Sequence, residues 1–254
     1  MDFMRRGGLS KLLALARVEW RLRQQSTFLG FLWTLLNPAL MFAVLYGLFV
    51  KWLGRGQSDY AFFLLIGIVE WNFFASATST ALSALLRRGH LMANYPLRPE
   101  IPVLASVLSV YFSHLLELAA MAALLGFFRG GISSSWLWLV PLDIAYLGLA
   151  AGIGALLSGL FVFYSDLERI WGIILMAGFF LTPVFYPLSV LAPEKSFLLS
   201  FSPLTAVIES ARLALAGSAP GAAALTCVFL WAAAAFASGL AFLRSQRAAI
   251  GDAL

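Results

Sequence analysis

The sequence predicts an all-α integral membrane protein with six transmembrane helices, an N-terminal amphipathic interface helix, and re-entrant helices at the outer surface before the last span. Composition is the first reason. Of 254 residues, 61% are hydrophobic and 11% are charged, whereas soluble domains average about 45–50% and about 25%. The second reason is that apolar stretches of about 20 residues recur along the chain, and a helix of this length crosses about 30 Å of hydrocarbon. The alternating segments of about 10 residues that are typical of a membrane β-barrel are not the pattern here.

Charge and cysteine content exclude several other classes of protein. The chain has 17 lysines and arginines against 12 acidic residues, a net charge of +5, and charge this sparse excludes a disordered or nucleic-acid-binding protein. The single cysteine, Cys227, excludes a disulfide framework and a multi-cysteine metal site. The two histidines, His90 and His114, lie far apart in sequence, so no metal site is expected.

Six stretches are long and apolar enough to span a bilayer: residues 31–50, 61–85, 101–128, 136–164, 170–188 and 221–243. The first is a permanent helix rather than a signal peptide, because its apolar run begins only near Phe28 and no small-residue cleavage site follows closely. The chain is therefore expected to form one transmembrane domain over residues 1–254. That domain comprises an interface helix at 1–27, a bundle at 28–243 and a cytoplasmic tail at 244–254.

The distribution of basic residues predicts the orientation. With six spans, both termini lie on one side, which carries twelve lysines and arginines against five on the other. The positive-inside rule then places both termini in the cytoplasm.

The N-terminal segment has the pattern of an amphipathic helix that lies in the membrane plane, held by apolar burial and attraction to anionic lipid. The alternative is an ordinary basic flank that only sets topology. Its apolar positions share one face and its arginines occupy the others: Leu9, Leu12, Leu13, Ala16 and Trp20, against Arg17, Arg21 and Arg23.

Two segments outside the spans have unusual composition. Residues 87–102 contain three prolines and three arginines, which indicates either a docking surface for a cytoplasmic partner or only a basic turn. Residues 186–220 contain apolar pieces too short to span, broken at Pro203 and Gly217. These pieces predict re-entrant helices that line the outer end of a pathway, or helices lying flat on the outer leaflet.

Acidic residues in or near the spans are costly, by about 2.5–3.5 kcal/mol each on insertion scales. Glu117 is the deepest, and His114 precedes it by one turn on the same face, so a hydrogen-bonded pair between packed helices is the favoured interpretation. Glu70, Asp143 and Asp166 lie nearer the interfaces, where they are expected to be hydrated.

Catalytic and nucleotide-binding motifs are not found. The sequence has no G-x-x-x-x-G-K-[ST] phosphate loop, so the chain by itself is not a P-loop ATPase, and no catalytic constellation converges. Aromatic residues cluster near span ends, either as an interfacial belt or as faces that stack on sugar rings. The candidates for such stacking are Trp33, Trp71, Phe74, Phe185 and Tyr186.

Six short motifs follow one another along the chain: STFLGFLWTLLNP (26–38), YAFFLLIGIVEWNFF (60–74), NYPLRPEIP (94–102), YSDLERI (164–170), TPVFYP (182–187) and SPLTAVIESAR (202–212). Together they resemble the signature segments of the membrane (permease) subunits of type-2 ABC exporters. The resemblance covers nearly the whole chain, and the most similar subfamily exports O-antigen polysaccharides and teichoic acids. Tyr95, Ser165 and Ser202 depart from the family pattern, where phenylalanine, arginine and asparagine are usual.

The resemblance implies a homodimer in the bacterial inner membrane that moves a lipid-linked polysaccharide through a channel between its two copies. Two copies of a cytoplasmic ATPase would bind the ATP and Mg²⁺, so no cofactor is expected on this chain. Arg17, Trp20, Arg21 and Arg23 would serve the gate and the lipid headgroup. The periplasmic re-entrant helices would close the outer end. The ATPase-coupling segment would comprise Arg87, Arg88, His90, Asn94, Tyr95, Pro96, Arg98 and Glu100.

Two alternatives remain open at the level of sequence. One is a type-2 permease for a capsular polysaccharide or a small lipophilic compound. The other is a stand-alone secondary transporter or a membrane scaffold without transport function, although no inverted repeat supports the transporter.

Overall fold

The protein is a bundle of helices in a computed structural model that describes residues 8–25, 32–52, 59–95, 97–129 and 131–253, and within these ranges there is no strand. Residues 26–31, which begin the first motif, and Pro96 of the coupling segment lie outside the described residues. The helices are α1 (Gly8–Gln25), α2 (Leu32–Tyr46), α3 (Tyr60–Leu82), α4 (Ala84–Arg87), α5 (Gly89–Asn94), α6 (Glu100–Arg129), α7 (Leu139–Phe161), α8 (Leu167–Leu181), α9 (Pro193–Ser200), α10 (Pro203–Leu215), α11 (Ala222–Ser245) and α12 (Arg247–Ala253).

Five of the six predicted spans coincide with helices that are long and apolar enough to cross a membrane. The spans are Leu32–Lys51, Tyr60–Leu82, Glu100–Phe128, Ser134–Phe161 and Ala222–Ser245. The first consists of α2 and a π-helical turn at Gly47–Trp52, and the fourth of a 3₁₀ turn at Ser134–Trp138 and α7. An all-α integral membrane fold is thereby confirmed.

The predicted fifth span, 170–188, is wrong in its bounds. The helix here, α8, has 15 residues and ends at Leu181, so it is about 22 Å long at 1.5 Å per residue. Thr182 is extended, with φ −81° and ψ 142°, because the ring of Pro183 disfavours helical geometry in the residue before it. Residues 182–187 consequently form a loop rather than the end of a membrane helix.

The break predicted at Pro203 is confirmed. Helices α9 and α10 meet at an angle of 94°, and Pro203 is the first residue of α10, where its missing N–H costs no hydrogen bond. The bent pair is either a broken sixth span or a re-entrant hairpin.

The centre of the bundle is formed by α3 and α7. In the spans that contain these two helices, 61% and 67% of an 18-residue apolar stretch is buried, whereas only 6% of such a stretch is buried in the span of α2. Among the described residues, the most extensive helix pairing joins α7 to α11. Its contact depends on Gly152 and Gly239, since an added Cβ on Gly152 would overlap the backbone of Ala235 and Phe236. Small residues let two membrane helices approach this closely.

Candidate functional site

The N-terminal helix α1 packs lengthwise against α6. Leu12 and Ala16 are buried, and the Trp20 indole N–H donates to Ser113 Oγ at 3.2 Å. Leu9, which the spacing assigned to the apolar face, is 45% exposed. The helix is therefore held by protein contacts on α6, which the prediction of a lipid-bound helix did not include.

The three arginines of α1 have two kinds of environment. Arg17 and Arg21 are exposed, while Arg23 Nη2 donates to Thr80 Oγ1 near the end of α3 at 3.3 Å. Two guanidinium groups thus remain available for a ligand, and the third also links α1 to α3.

An acidic residue that sequence reasoning missed joins α1 to the coupling segment. Glu19 Oε1 lies 3.5 Å from Arg88 Nη2 and 3.8 Å from Arg87 Nη2, and Arg87 also donates to the Thr80 carbonyl at 2.8 Å. The available signal was that Glu19 is the only acidic residue of this basic helix, with Arg23 one turn after it. A displacement of the coupling segment would pull on α1 through these contacts.

The rest of the coupling segment presents exposed side chains beside a second ion pair. Asn94 Nδ2 donates to the His90 carbonyl at 2.8 Å, and His90, Asn94 and Tyr95 are exposed. Glu100 is buried and pairs with Arg244 at the end of α11 at 3.0 Å. Arg98, which we also assigned to coupling, is half-buried.

A polar cleft of about 320 Å³ lies between α1, α2, α3 and α6. Polar residues at membrane depth are costly unless they face a wet cavity or a partner, so this cleft indicates water inside the bundle. Its lining residues are Arg23, Gln24, Trp33, Thr34, Asn37, Pro38, Asn72, Phe73, Ser76, Val110, Ser113, His114 and Glu117.

The five candidate stacking aromatics are not equivalent. Trp33 is 48% exposed and lines the cleft, so its face is available to a ligand. Trp71 and Phe74 are buried at 5% and 4% exposure, and Trp71 packs edge-on against Phe179 with ring centroids 5.9 Å apart. Within one copy of the chain their apolar rings fill the contact between α3 and α8, and the sugar-stacking role expected of Trp71 and Phe74 stays a prediction.

Phe185 and Tyr186 belong to an aromatic cluster in the loop after α8. The Phe185 ring stacks on Phe49 at a centroid distance of 5.5 Å, and its carbonyl accepts from the Tyr60 hydroxyl at 2.9 Å. The Tyr186 hydroxyl donates to the Leu181 carbonyl at 2.8 Å. Both rings are half-buried, so they retain part of a face for contact.

Arg212 of α10 organises the same loop from the inside. Its guanidinium donates to the carbonyls of Pro183 at 2.8 Å, Val184 at 2.6 Å and Phe63 at 3.2 Å. It pairs with Glu209 at 2.8 Å and lies 3.4 Å from the Phe63 ring centroid. In the sequence, Arg212 is recognisable only as a basic residue in the segment between α8 and α11.

The interior acidic residues do not pair as the sequence suggested. His114 Nε2 lies 3.8 Å from Glu70 Oε2 and 3.9 Å from Asp143 Oδ1, whereas Glu117 lines the cleft. Glu70 and Asp143 are buried, so the expectation that they are hydrated near an interface is wrong; Asp166 is exposed. The sequence could not reveal this grouping, because helical periodicity relates residues of one helix only, whereas Glu70, His114 and Asp143 come from α3, α6 and α7.

Comparison with known proteins identifies the class of molecule. A family model described as ABC-2 type transporter matches residues 10–216. The O-antigen export system permease protein RfbA of Myxococcus xanthus is 29% identical over 232 residues, covering 87% of this chain and 89% of that protein. The protein of the same name from Klebsiella pneumoniae is 28% identical over 203 residues, 79% of this chain and 78% of that protein. The polysialic acid transport protein KpsM of Escherichia coli is 25% identical over 203 residues, 78% of each chain.

Proposed function

The chain belongs to the ABC-2 type transporter family, and we propose that it is the membrane-spanning permease subunit of an ATP-driven polysaccharide exporter. Its relatives carry the names of O-antigen export and polysialic acid transport proteins. The observation that carries the proposal beyond family membership is the polar cleft beside α2. A hydrophilic glycan cannot cross hydrocarbon, so its path must be wet and lined by polar groups.

The glycan channel forms between two copies of this chain. Support comes from α2 and α8, which are poorly covered within one copy: seven of the 15 residues of α2 and ten of the 15 residues of α8 are exposed. The cleft opens beside α2 and is lined by Trp33, so a second copy packed against this face would enclose it. Trp33, Phe185 and Tyr186 are the aromatic residues left with an accessible face along such a path.

Hydrolysis of ATP supplies the free energy for transport. The ATP and Mg²⁺ are bound by two copies of a separate cytoplasmic ATPase. The exposed residues His90, Asn94 and Tyr95 form the docking surface for that partner. When the ATPase dimer closes around ATP, the coupling segment moves, and the contacts from Arg87 and Arg88 to Glu19 transmit the motion to α1. Because α1 lines the cleft beside α2, this motion widens the path.

The substrate is lipid-linked, and its pyrophosphate end approaches α1. Arginine forms strong charge-assisted hydrogen bonds to phosphate oxygens, and Arg17 and Arg21 are exposed for this contact. The capsular alternative differs only in the glycan carried, and the polysialic acid relative at 25% identity favours it as the second candidate.

We expect the variant R17Q/R21Q/R23Q to lose at least tenfold in export while the amount of membrane-inserted protein stays constant, because the phosphate loses its charged partners. The double variant R17Q/R21Q leaves the Arg23–Thr80 contact in place and should retain most of the defect. Lys11→Gln, which removes an exposed charge earlier on the same helix, is the control. Unchanged export in the triple variant would remove the headgroup role. The measurement is surface polysaccharide per inserted permease.

Deleting the gene in its host tests the proposed function directly. We expect surface polysaccharide to disappear and unexported lipid-linked glycan to accumulate on the cytoplasmic face of the membrane. A plasmid copy of the gene should restore export. Unchanged surface polysaccharide in the deletion strain would refute the proposal.

Both termini are proposed to be cytoplasmic. In a Cys227→Ser background, a cysteine from Asp252→Cys in α12 should react with a membrane-impermeant maleimide only after the inner membrane is opened. A cysteine from Ser189→Cys, in the loop before α9, should react in intact spheroplasts. Both positions are exposed, so burial does not limit either reaction. The reverse pattern would invert the topology.

A further inference from the structure

Three ionisable side chains from three helices meet inside the bundle, and of the three only His114 lines the cleft of the proposed transport path. Glu70 of α3, His114 of α6 and Asp143 of α7 are 0%, 2% and 5% exposed. One donor atom from each residue lies within 4.8 Å of the other two. Burying ionisable groups is unfavourable unless they are paired or bound to an ion, so this arrangement requires a partner.

The hydrogen bonds within the cluster are incomplete. Within the described part of the chain, both carboxylate oxygens of Glu70 and both ring nitrogens of His114 are buried without a hydrogen-bond partner. The distances of 3.8 Å and 3.9 Å from His114 Nε2 to the two carboxylates exceed the range of a direct hydrogen bond. Buried polar atoms in native proteins are nearly always satisfied. A group bound between these three side chains would supply the missing partners.

We propose that Glu70, His114 and Asp143 bind one divalent transition-metal cation of the zinc class. An imidazole nitrogen and carboxylate oxygens are ligands that Zn²⁺ takes in proteins. Two carboxylates and a neutral imidazole also balance the charge of a divalent cation, which removes the cost of leaving them buried and unpaired. No metal site is expected from the sequence, because its two histidines lie far apart and the three ligands come from distant parts of the chain.

The surroundings suit such a site. The polar cleft reaches His114, so a cation and a water molecule as fourth ligand have a route from the aqueous phase. The Phe73 ring stacks on His114 with centroids 4.4 Å apart and limits the motion of the imidazole. The Tyr146 hydroxyl donates to the Glu70 carbonyl at 2.8 Å, which ties α7 to α3 next to the site.

A bound cation would cross-link α3, α6 and α7. This role goes beyond the proposed transport of glycan and does not depend on it, because all three ligands are buried within a single copy of the chain. The expected consequence is a more stable folded bundle in the presence of the metal, because a ligand that binds only the folded state stabilises it.

The test is metal binding by the full-length protein, purified in detergent and stripped with a chelator. We expect about one Zn²⁺ per chain after equilibration with Zn²⁺ and removal of excess metal, and a rise in Tm of roughly 5 °C at a hundredfold excess over Kd. Co²⁺ in place of Zn²⁺ should give the visible absorption of a low-coordinate site. His114→Ala, Glu70→Gln and Asp143→Asn should each reduce the bound metal at least tenfold.

Glu117→Gln is the matched control, because it removes a carboxylate from the same cleft but not from the cluster, and it should keep full metal content. Less than about a tenth of a metal ion per chain in monodisperse wild-type protein would overturn the proposal, as would unchanged binding in all three ligand variants. If those variants fail to fold, the wild type decides: Zn²⁺ must raise Tm where Mg²⁺ does not. An equal response to both ions would overturn the assignment to a zinc-class cation, and stabilisation by acid without bound metal would point instead to a protonated His114 bridging the carboxylates.

Discussion

Gly152→Ala is expected to lower the folded-to-unfolded ratio of the protein by about a hundredfold, a loss of about 3 kcal/mol. A methyl group at this position would overlap the backbone of Ala235 and Phe236 in α11. Backbone cannot rotate away as a flexible side chain can, so α7 and α11 must separate. The separation breaks the most extensive helix pairing among the described residues.

Gly148→Ala is the control for this effect, since it lies one turn earlier on α7. An added Cβ there would lie 3.9 Å from the Ala232 Cβ, an ordinary contact, and should leave stability nearly unchanged. The measurement is the free energy of unfolding in detergent together with the yield of monodisperse protein. Equal stability of the two variants would show that α7 and α11 are not in close contact.

Arg212→Leu is expected to destabilise the packing of α10 against α3 and the loop after α8, and to reduce export by at least tenfold. The substitution leaves the carbonyls of Pro183, Val184 and Phe63 without their donor, and each buried unpaired group costs about 1–3 kcal/mol. Arg212→Lys should recover only part of the loss, because an ammonium group cannot present the planar fork of donors that these carbonyls require.

Gly67→Ala provides an independent route to the same defect. Its Cβ would overlap the Val184 carbonyl oxygen and approach Arg212 Nη2 to 2.6 Å, so it should displace the guanidinium without removing it. Arg169→Gln, which removes an exposed arginine from α8, should have wild-type thermal stability. Thermal unfolding and export per inserted protein measure both effects, and a stable, active Arg212→Leu variant would contradict the assignment.

The sequence predicts the spans well because hydropathy reports on local composition, and every span that coincides with a helix is a continuous apolar stretch. The exception at 170–188 arises because apolar character persists past the point where Pro183 ends α8. Hydropathy detects what dissolves in lipid, whereas the end of a helix depends on backbone geometry.

The side-chain environments were less predictable, because they depend on contacts between helices. Trp71 and Phe74 have the composition of a stacking surface but face α8 rather than open space. In the sequence, Arg212 resembles a basic residue that only sets membrane orientation, whereas in the structure it donates hydrogen bonds to three carbonyls. His114 was assigned to its neighbour on the same helix, since the sequence contains no indication that α3 and α7 bring Glu70 and Asp143 to it.

Reconstitution tests most directly whether this chain is a permease driven by an ATPase that it does not contain. The permease would be placed in proteoliposomes with labelled lipid-linked glycan, alone or with its nucleotide-binding subunit, and glycan transfer across the bilayer would be measured with and without ATP. Transfer is expected only when both the ATPase subunit and ATP are present, and an ATPase variant that binds but does not hydrolyse ATP should abolish sustained transfer. Glycan transfer by the permease alone, at a rate unaffected by ATP or by the partner, would contradict this assignment.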